Sequence, residues 1–104
     1  MPGLIVLTTT PDGKSAKALA KILLIKKLAA CVTTGNNFIS SYRWKGGIET
    51  AKESLLIIKT LQKNFGKIKK IIQAVHPYEV PEIICLPIFK ASPEYRSWMV
   101  QVLK

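Results

Sequence analysis

The chain has 104 residues, with 16 lysines and arginines against 6 acidic residues, which gives a formal net charge of +10. This length predicts a single domain over residues 1–104, with a core of its own. The 48% hydrophobic fraction excludes an intrinsically disordered chain, and no apolar run is long enough to span a bilayer. Two cysteines are too few for a disulfide framework, and the N-terminus lacks a signal-peptide pattern. The sequence therefore predicts a cytoplasmic protein without membrane contact.

The first half of the chain changes twice between strand and helix patterns. Residues 4–8 are a short apolar, β-branched run that predicts a buried strand, and a Pro-Asp turn separates it from a helical period over residues 14–28. Residues 29–44 alternate as a strand. The Gly-Asn-Asn triplet at residues 35–37 interrupts that alternation, so we expect a bulge or bend there.

The second half begins with a hairpin turn at residues 45–47, where paired glycines tolerate the positive φ that such turns need. The apolar period then predicts a strand over 48–60, a helix over 62–75, a strand over 82–89 and a helix over 92–103. The order βαββαβ plus a C-terminal helix predicts an α+β fold, the ferredoxin-like sandwich with a long central β-hairpin.

The two central strands are predicted to be much longer than the usual 5–6 residues or so. Helices of about 15 residues cannot cover a hairpin of that length. Because large aliphatic residues point to both faces of the third strand, we expect another copy of the chain to cover the face that the helices leave free. The predicted interface consists of Tyr42, Trp44, Glu53, Leu56 and Ile58. A solvated position on the hairpin is the alternative interpretation for the Glu53 carboxylate.

The segment that follows the second helix carries the only histidine of the chain, His76, together with two prolines, an aromatic residue and two acids within eight positions. A histidine three residues before a glutamate in a stiff loop can offer ligands to a metal or take part in proton transfer. The same residues can instead serve only the crossing from helix to strand. We predict a ligand or intersubunit cleft formed by Lys59, Tyr78, Glu79 and Glu82.

Cys31 stands at the head of the second strand, where a cysteine is either an inert small hydrophobe or a soft metal ligand. His76 and Cys31 are the candidate metal ligands of the sequence, for a divalent ion such as copper or zinc. No Cys-X-X-Cys pair, P-loop or nucleophile elbow is present, and no second histidine could complete a catalytic group. We therefore predict a protein that is not an enzyme and that requires no cofactor.

Five blocks in order along nearly the whole chain resemble the CutA family of divalent-cation tolerance proteins. The blocks are 28–32 (LAACV), 42–46 (YRWKG), 53–60 (ESLLIIKT), 76–83 (HPYEVPEI) and 95–98 (YRSW). The resemblance implies a ferredoxin-like subunit in a tight homotrimer, with hairpins that pair between neighbours as in the nitrogen-regulatory signal transducers. It also implies association with copper and other divalent cations.

The copper ligands proposed for bacterial members of that family include a cysteine near the end of the first strand and a pair of histidines before Pro-Tyr. This chain has Thr8 at the first place and Val75-His76 at the second, so only His76 remains of that set. Cys31 matches another cysteine of the family.

Three classes of function follow from these observations. The first is a trimeric metal-responsive protein or a small-ligand sensor with its site at a subunit boundary. The second is a structural or adaptor trimer without a small ligand. The third is an RNA-binding module, which the charge favours but the third strand does not. That strand has aliphatic residues at 55–58, where an RNA-binding module of this fold would carry aromatic rings that stack on bases. We therefore expect no specific nucleic-acid partner.

Overall fold

The computed structural model describes residues 3–104, which form a four-stranded sheet and three α-helices. The strands are β1 (Gly3–Thr10), β2 (Cys31–Trp44), β3 (Gly47–Leu61) and β4 (Ile84–Ile88). The helices are α1 (Gly13–Ile25), α2 (Phe65–Val75), which a 3-10 turn (Gln62–Asn64) precedes, and α3 (Pro93–Val102). The sheet order is β2-β3-β1-β4, and every neighbouring pair of strands is antiparallel. The predicted α+β class is confirmed.

Helix α1 begins and ends on local signals. The carboxylate of Asp12 accepts the backbone N–H of Ser15 at 2.8 Å, and the Ser15 hydroxyl accepts the N–H of Asp12, which completes a capping box. The helix ends three residues before its predicted end at residue 28. There Lys27 adopts a φ of 56°, and the N–H of Leu28 donates to the Leu23 carbonyl oxygen at 2.9 Å. This Schellman-type closure turns the Leu28 side chain into the core.

The long hairpin of β2 and β3 has the two irregularities that its glycines predict. The register of the two strands shifts between Gly35 and Phe38, and Asn37 has a φ of 64°. A Cβ atom on Gly35 would lie 2.6 Å from the Phe38 ring, so a side chain at this position would require the half-exposed ring to move. At the tip, Lys45 and Gly46 have φ values of 49° and 82°, as a two-residue type I′ turn needs.

The two faces of the sheet differ in what covers them. Helices α1 and α2 pack on one face, which we call the covered face, and alternate side chains of β1 and β3 point into the core beneath them. The residues of this core include Val6, Ala16, Leu19, Leu23, Leu56, Ile58, Ile68 and Ile72. Every one of these side chains is at most 2% exposed, so the chain completes this face by itself.

The opposite face, which we call the open face, carries the side chains of the strands that alternate with these core residues. Helix α3 covers one end of it, where Met99 and Leu103 pack around Leu61. Farther along, Leu55 and Ile57 of β3 are partly exposed. On the neighbouring edge, Ile84 and Leu86 of β4 each keep 50% of their surface exposed. An apolar surface of this extent remains without a cover from the chain itself.

The prediction that Leu56 and Ile58 lie at a subunit interface is wrong. Both side chains are 0% exposed and belong to the core beneath α1 and α2. Side chains alternate along a strand with a period of two, so these even-numbered residues of β3 point to the covered face. The odd-numbered neighbours Leu55 and Ile57 point to the open face instead. None of the helices in residues 3–104 is long and apolar enough to cross a membrane.

Candidate functional site

A cleft of about 680 Å³ lies on the open face, between the hairpin and the segment that follows α2. Its walls combine aromatic rings, hydroxyls and carboxylates. The lining residues are Thr9, Ser40, Ser41, Tyr42, Trp44, Glu53, Tyr78, Glu79, Val80, Pro81 and Glu82. The volume falls within the range of small-molecule sites, and the lining contains three carboxylates but no lysine, arginine or histidine.

Glu53 forms the polar floor of the cleft and is only 5% exposed. Its carboxylate accepts a hydrogen bond from the Thr9 hydroxyl at 3.2 Å, across the pairing of β1 with β3. A buried carboxylate without a hydrogen-bond donor would be costly, so Thr9 has a structural role here. The interpretation of Glu53 as a solvated hairpin position is therefore wrong.

His76 is the first residue after α2 and ties that end of the helix to β1. Its backbone N–H donates to the Ile72 carbonyl oxygen at 2.9 Å. Its Nε2 lies 2.6 Å from the backbone oxygen of Thr9, and since a carbonyl only accepts, Nε2 is the donor. Its Nδ1 accepts the backbone N–H of Tyr78 at 3.1 Å. The imidazole therefore uses one nitrogen as a donor and the other as an acceptor, and neither is free.

Tyr78 closes the cleft above Glu53. Its ring is tilted against that of His76, with 4.5 Å between the ring centroids. Burial raises the pKa of the Tyr78 phenol to about 12, and the Glu53 carboxylate adds to the rise through a hydrogen bond and its negative charge. The phenol is therefore held protonated next to a carboxylate that can only accept.

The structure brings together most of the residues that the sequence singles out. Tyr78, Glu79 and Glu82 of the predicted ligand cleft meet Tyr42, Trp44 and Glu53 of the predicted interface in one cavity. The prediction missed Thr9, which supplies both a hydroxyl and a carbonyl to the site. Strand alternation gives the signal that could have found it, because Thr9 shares the open face with Glu53.

Lys59 is not part of this cleft, which corrects its predicted place. Its Nζ lies 3.2 Å from the Thr33 hydroxyl and 3.8 Å from the Cys31 sulfur, at the opposite end of the hairpin. Glu53 and Lys59 are six positions apart on β3, which corresponds to about 20 Å along the strand. Lys59 and the half-buried thiol of Cys31 thus form a separate pair, away from the cleft.

A single subunit does not offer a divalent metal a set of ligands. Among residues 3–104, no group of three or more histidine, cysteine, aspartate or glutamate side chains is placed to hold an ion. Both ring nitrogens of His76 are engaged in hydrogen bonds. Cys31 lies next to Lys59 rather than next to His76. The roles of His76 and Cys31 as metal ligands therefore stay predictions.

Comparison with known proteins gives a consistent assignment. The family model described as CutA1 divalent ion tolerance protein matches residues 4–102. The chain is 42% identical over 95 residues to the divalent-cation tolerance protein CutA of Thermus thermophilus, over 91% of this chain and 92% of that protein. It is also 42% identical over 94 residues to protein CutA of Mus musculus, over 90% of this chain but only 53% of that longer protein.

A solved structure extends this similarity to three dimensions. The periplasmic divalent cation tolerance protein CutA from Archaeoglobus fulgidus superposes with a TM-score of 0.94 at 33% identity, over 98% of this chain and 99% of that one. The family description and the names of the Thermus thermophilus and Archaeoglobus fulgidus proteins refer to divalent-cation tolerance and name no reaction. The chain belongs to the CutA1 family of divalent ion tolerance proteins.

Proposed function

We propose that the protein acts in divalent-cation tolerance as the ferredoxin-like subunit of a homotrimer, and that it works by binding rather than by catalysis. The observation that carries this proposal is the open face, with its apolar surface and the cleft at its end. Membership in a divalent ion tolerance family supports the cellular role. The absence of a catalytic motif from the sequence favours a binding protein.

The dimensions of the subunit support this assembly. The hairpin strands have 14 and 15 residues, and the longest axis of the subunit is 45 Å. Helix α1 has 13 residues, which corresponds to about 20 Å, so the helices cover less than half of that length. Two further copies that pack their open faces together would bury Leu55, Ile57 and Leu86. Tyr42, Trp44 and Glu53 would then stand at the subunit boundary.

Light scattering coupled to size-exclusion chromatography tests this assembly. We expect a mass of three chains for the native protein, and of one chain for Leu86→Lys, because a lysine there would be buried without a partner. Gln73→Lys, at an exposed position of α2 on the other side of the sheet, is a control that adds the same charge. A native protein that elutes as a monomer would overturn the proposal.

The metal association is proposed as a property of the trimer, since one subunit lacks a ligand set. Calorimetric titration with Cu(II) and Zn(II) tests it, on the native protein and on His76→Ala and Cys31→Ser. A stoichiometry of a simple fraction of one ion per subunit, with weaker binding in either variant, would support a site with ligands from more than one copy. Equal affinity in all three proteins would remove both residues from the site.

A small-ligand sensor, related in architecture to the nitrogen-regulatory signal transducers, is the second candidate. The cleft of about 680 Å³ with aromatic and carboxylate walls favours it.

We propose that the protein is located in the cytoplasm. Tagging the native chain and separating the cell fractions tests this location. The name of the Archaeoglobus fulgidus relative places that protein in the periplasm, which makes the periplasmic fraction the informative one.

A further inference from the structure

The outer surface of the two helices that cover the sheet is strongly basic. Six lysines on these helices are exposed, and we call them the lysine layer: Lys14, Lys17, Lys21, Lys67, Lys69 and Lys70. Neither helix contains an aspartate or a glutamate. Asp12 caps α1, and the other five acids of the chain lie in the hairpin, in the segment 79–82 and in α3. The lysine layer therefore holds 6 of the 16 lysines and arginines of the chain, and the only acid beside it is the cap residue Asp12.

The stability of the helices does not explain this arrangement. Lysines three or four residues apart, such as Lys14 and Lys17 or Lys17 and Lys21, repel each other along a helix surface. Lys67 stands in the first turn of α2, where the helix dipole disfavours a positive charge and no acid is present, whereas the carboxylate of the cap residue Asp12 offsets part of this cost for Lys14 in α1. The lysine layer thus has a local cost that an external polyanion would relieve.

The two rows of lysines lie side by side on one surface. Residues of α1 and α2 share a single core over the covered face, so the helices are neighbours in one layer. Lys14 to Lys21 span roughly 10 Å along α1, and Lys67 to Lys70 span roughly 5 Å along α2. Duplex nucleic acid presents one phosphate charge per 1.7 Å or so of its axis, so a patch of this size faces several phosphates at once.

The chemistry of the layer favours a phosphate backbone over the other polyanions. The one aromatic residue of α1 and α2 is Phe65, which packs against the core, so the lysine layer offers no exposed ring on which the bases of a single strand could stack. The core occupies the apolar sides of both helices, and the exposed apolar residues Leu24, Ile25 and Val75 lie only at the helix ends, so neither helix offers a continuous apolar face to a bilayer. A lysine ammonium group is a point charge and lacks the forked donors with which an arginine guanidinium recognises base edges, so the layer is suited to phosphates rather than to a base sequence.

We propose that the lysine layer binds the phosphate backbone of duplex nucleic acid without recognising its sequence. The proposal stands independently of the trimer and of the metal. In it, phosphates contact the ammonium groups of both rows, and the bases are not read. Such binding releases condensed counterions, so its affinity falls steeply as the salt concentration rises.

Fluorescence anisotropy of a labelled duplex of about 30 base pairs tests the proposal, at salt concentrations between roughly 50 and 200 mM. The variant Lys14→Gln/Lys17→Gln/Lys21→Gln should bind at least about tenfold more weakly, and the slope of log affinity against log salt should shrink by about 1 per lysine removed. The matched control Lys45→Gln/Lys90→Gln/Lys104→Gln removes the same charge from other exposed positions and should change the slope little. Two duplexes of unrelated sequence should bind equally well.

Several results would overturn the proposal. One is an equal loss in the two triple variants, which would mean that only net charge matters. Another is a native protein that does not bind the duplex at about 50 mM salt but does bind vesicles of phosphatidylserine, which would assign the layer to anionic lipid. If the α1 variant fails to fold by circular dichroism, Lys67→Gln/Lys69→Gln/Lys70→Gln makes the same comparison on α2.

Discussion

The covered face and the open face belong to the same strands, yet the chain completes only one of them. On the covered face, Leu56 and Ile58 are 0% exposed beneath α1 and α2. On the open face, Leu55 and Ile57 of the same strand are partly exposed. The composition of β3 cannot account for this difference, because its aliphatic residues alternate to both sides. A strand that is apolar on both sides needs two covers, and the chain provides a full one on one side only.

The polar groups of the two faces differ in a related way. On the covered face, the hydroxyl of Thr60 donates to the Leu28 carbonyl oxygen at 2.6 Å and accepts a hydrogen bond from the Asn64 amide. On the open face, the polar groups gather around Glu53 and are joined to a cleft that opens to solvent. The polar groups of the covered face thus satisfy hydrogen bonds within the core, whereas those of the open face line the cleft.

The largest expected difference between the faces comes from one pair of neighbouring residues. Ile58→Ala removes a fully buried side chain and should lower the free energy of unfolding by about 2–5 kcal/mol, through lost burial and the cavity left behind. Ile57→Ala should cost the isolated subunit less, because its side chain is already partly exposed. Urea unfolding at a fixed protein concentration measures both losses.

The same pair also reports on assembly. If another copy covers the open face, Ile57→Ala should make the mass from light scattering depend on concentration, and Ile58→Ala should not. Similar losses of stability with no change of mass in either variant would contradict the contrast between the two faces.

Local signals predicted the elements of the fold well. The alternation of Phe38, Ser40 and Tyr42 indicated a strand, and the Pro-Asp turn and the paired glycines marked the helix start and the hairpin tip. The end of α1 was less predictable. The apolar period continues through Leu28, but Lys27 takes a left-handed conformation that ends the helix, and lysine carries no signal for it.

The candidate site was less predictable because it depends on pairing between distant strands. The sequence singled out His76 and Glu53, but not their contacts with Thr9, which is more than 40 residues from either of them. The error on Leu56 and Ile58 has a related origin. A continuous apolar run shows that both faces are buried, but it does not say which residues face the helices. That choice is fixed by the pairing of β3 with β1.

Two threonines on the covered face should respond in opposite ways to the loss of a hydroxyl. Thr60→Val leaves the Leu28 carbonyl and the Asn64 amide without their partner in the core, which should cost about 1–3 kcal/mol. Among the residues that the structure describes, the buried hydroxyl of Thr8 has no hydrogen-bond partner. Thr8→Val should therefore be neutral or stabilise the fold by about 1 kcal/mol.

Thermal and urea unfolding of the two variants measure this contrast. Val is close to Thr in shape, so the packing of each side chain changes little and the comparison isolates the hydroxyl. A clear loss of stability in Thr8→Val would mean that its hydroxyl does have a partner, such as an ordered water, within the covered face.

The smallest effect belongs to the open face and appears only at high pH. The pKa of Tyr78 rises from 10.0 to about 12, first through burial and then through the hydrogen bond and the charge of Glu53. Below pH 10 the phenol is protonated in both the folded and the unfolded chain. Between pH 10 and 12 the unfolded chain loses this proton first, so the contribution of Tyr78 to stability should decline as the pH rises through this window.

Ultraviolet titration of the phenolates follows this step directly. The chain has three tyrosines, and the step at highest pH should vanish in Tyr78→Phe but remain in Tyr95→Phe, which changes an exposed ring on α3. Glu53→Gln should move the step toward the ordinary value without reaching it, because burial, the larger cause, remains. If Glu53→Gln left the step unchanged, the carboxylate would not act on Tyr78, and the two would not form one polar group. The open face would then hold two separate polar side chains, and the contrast with the covered face would be one of exposure alone.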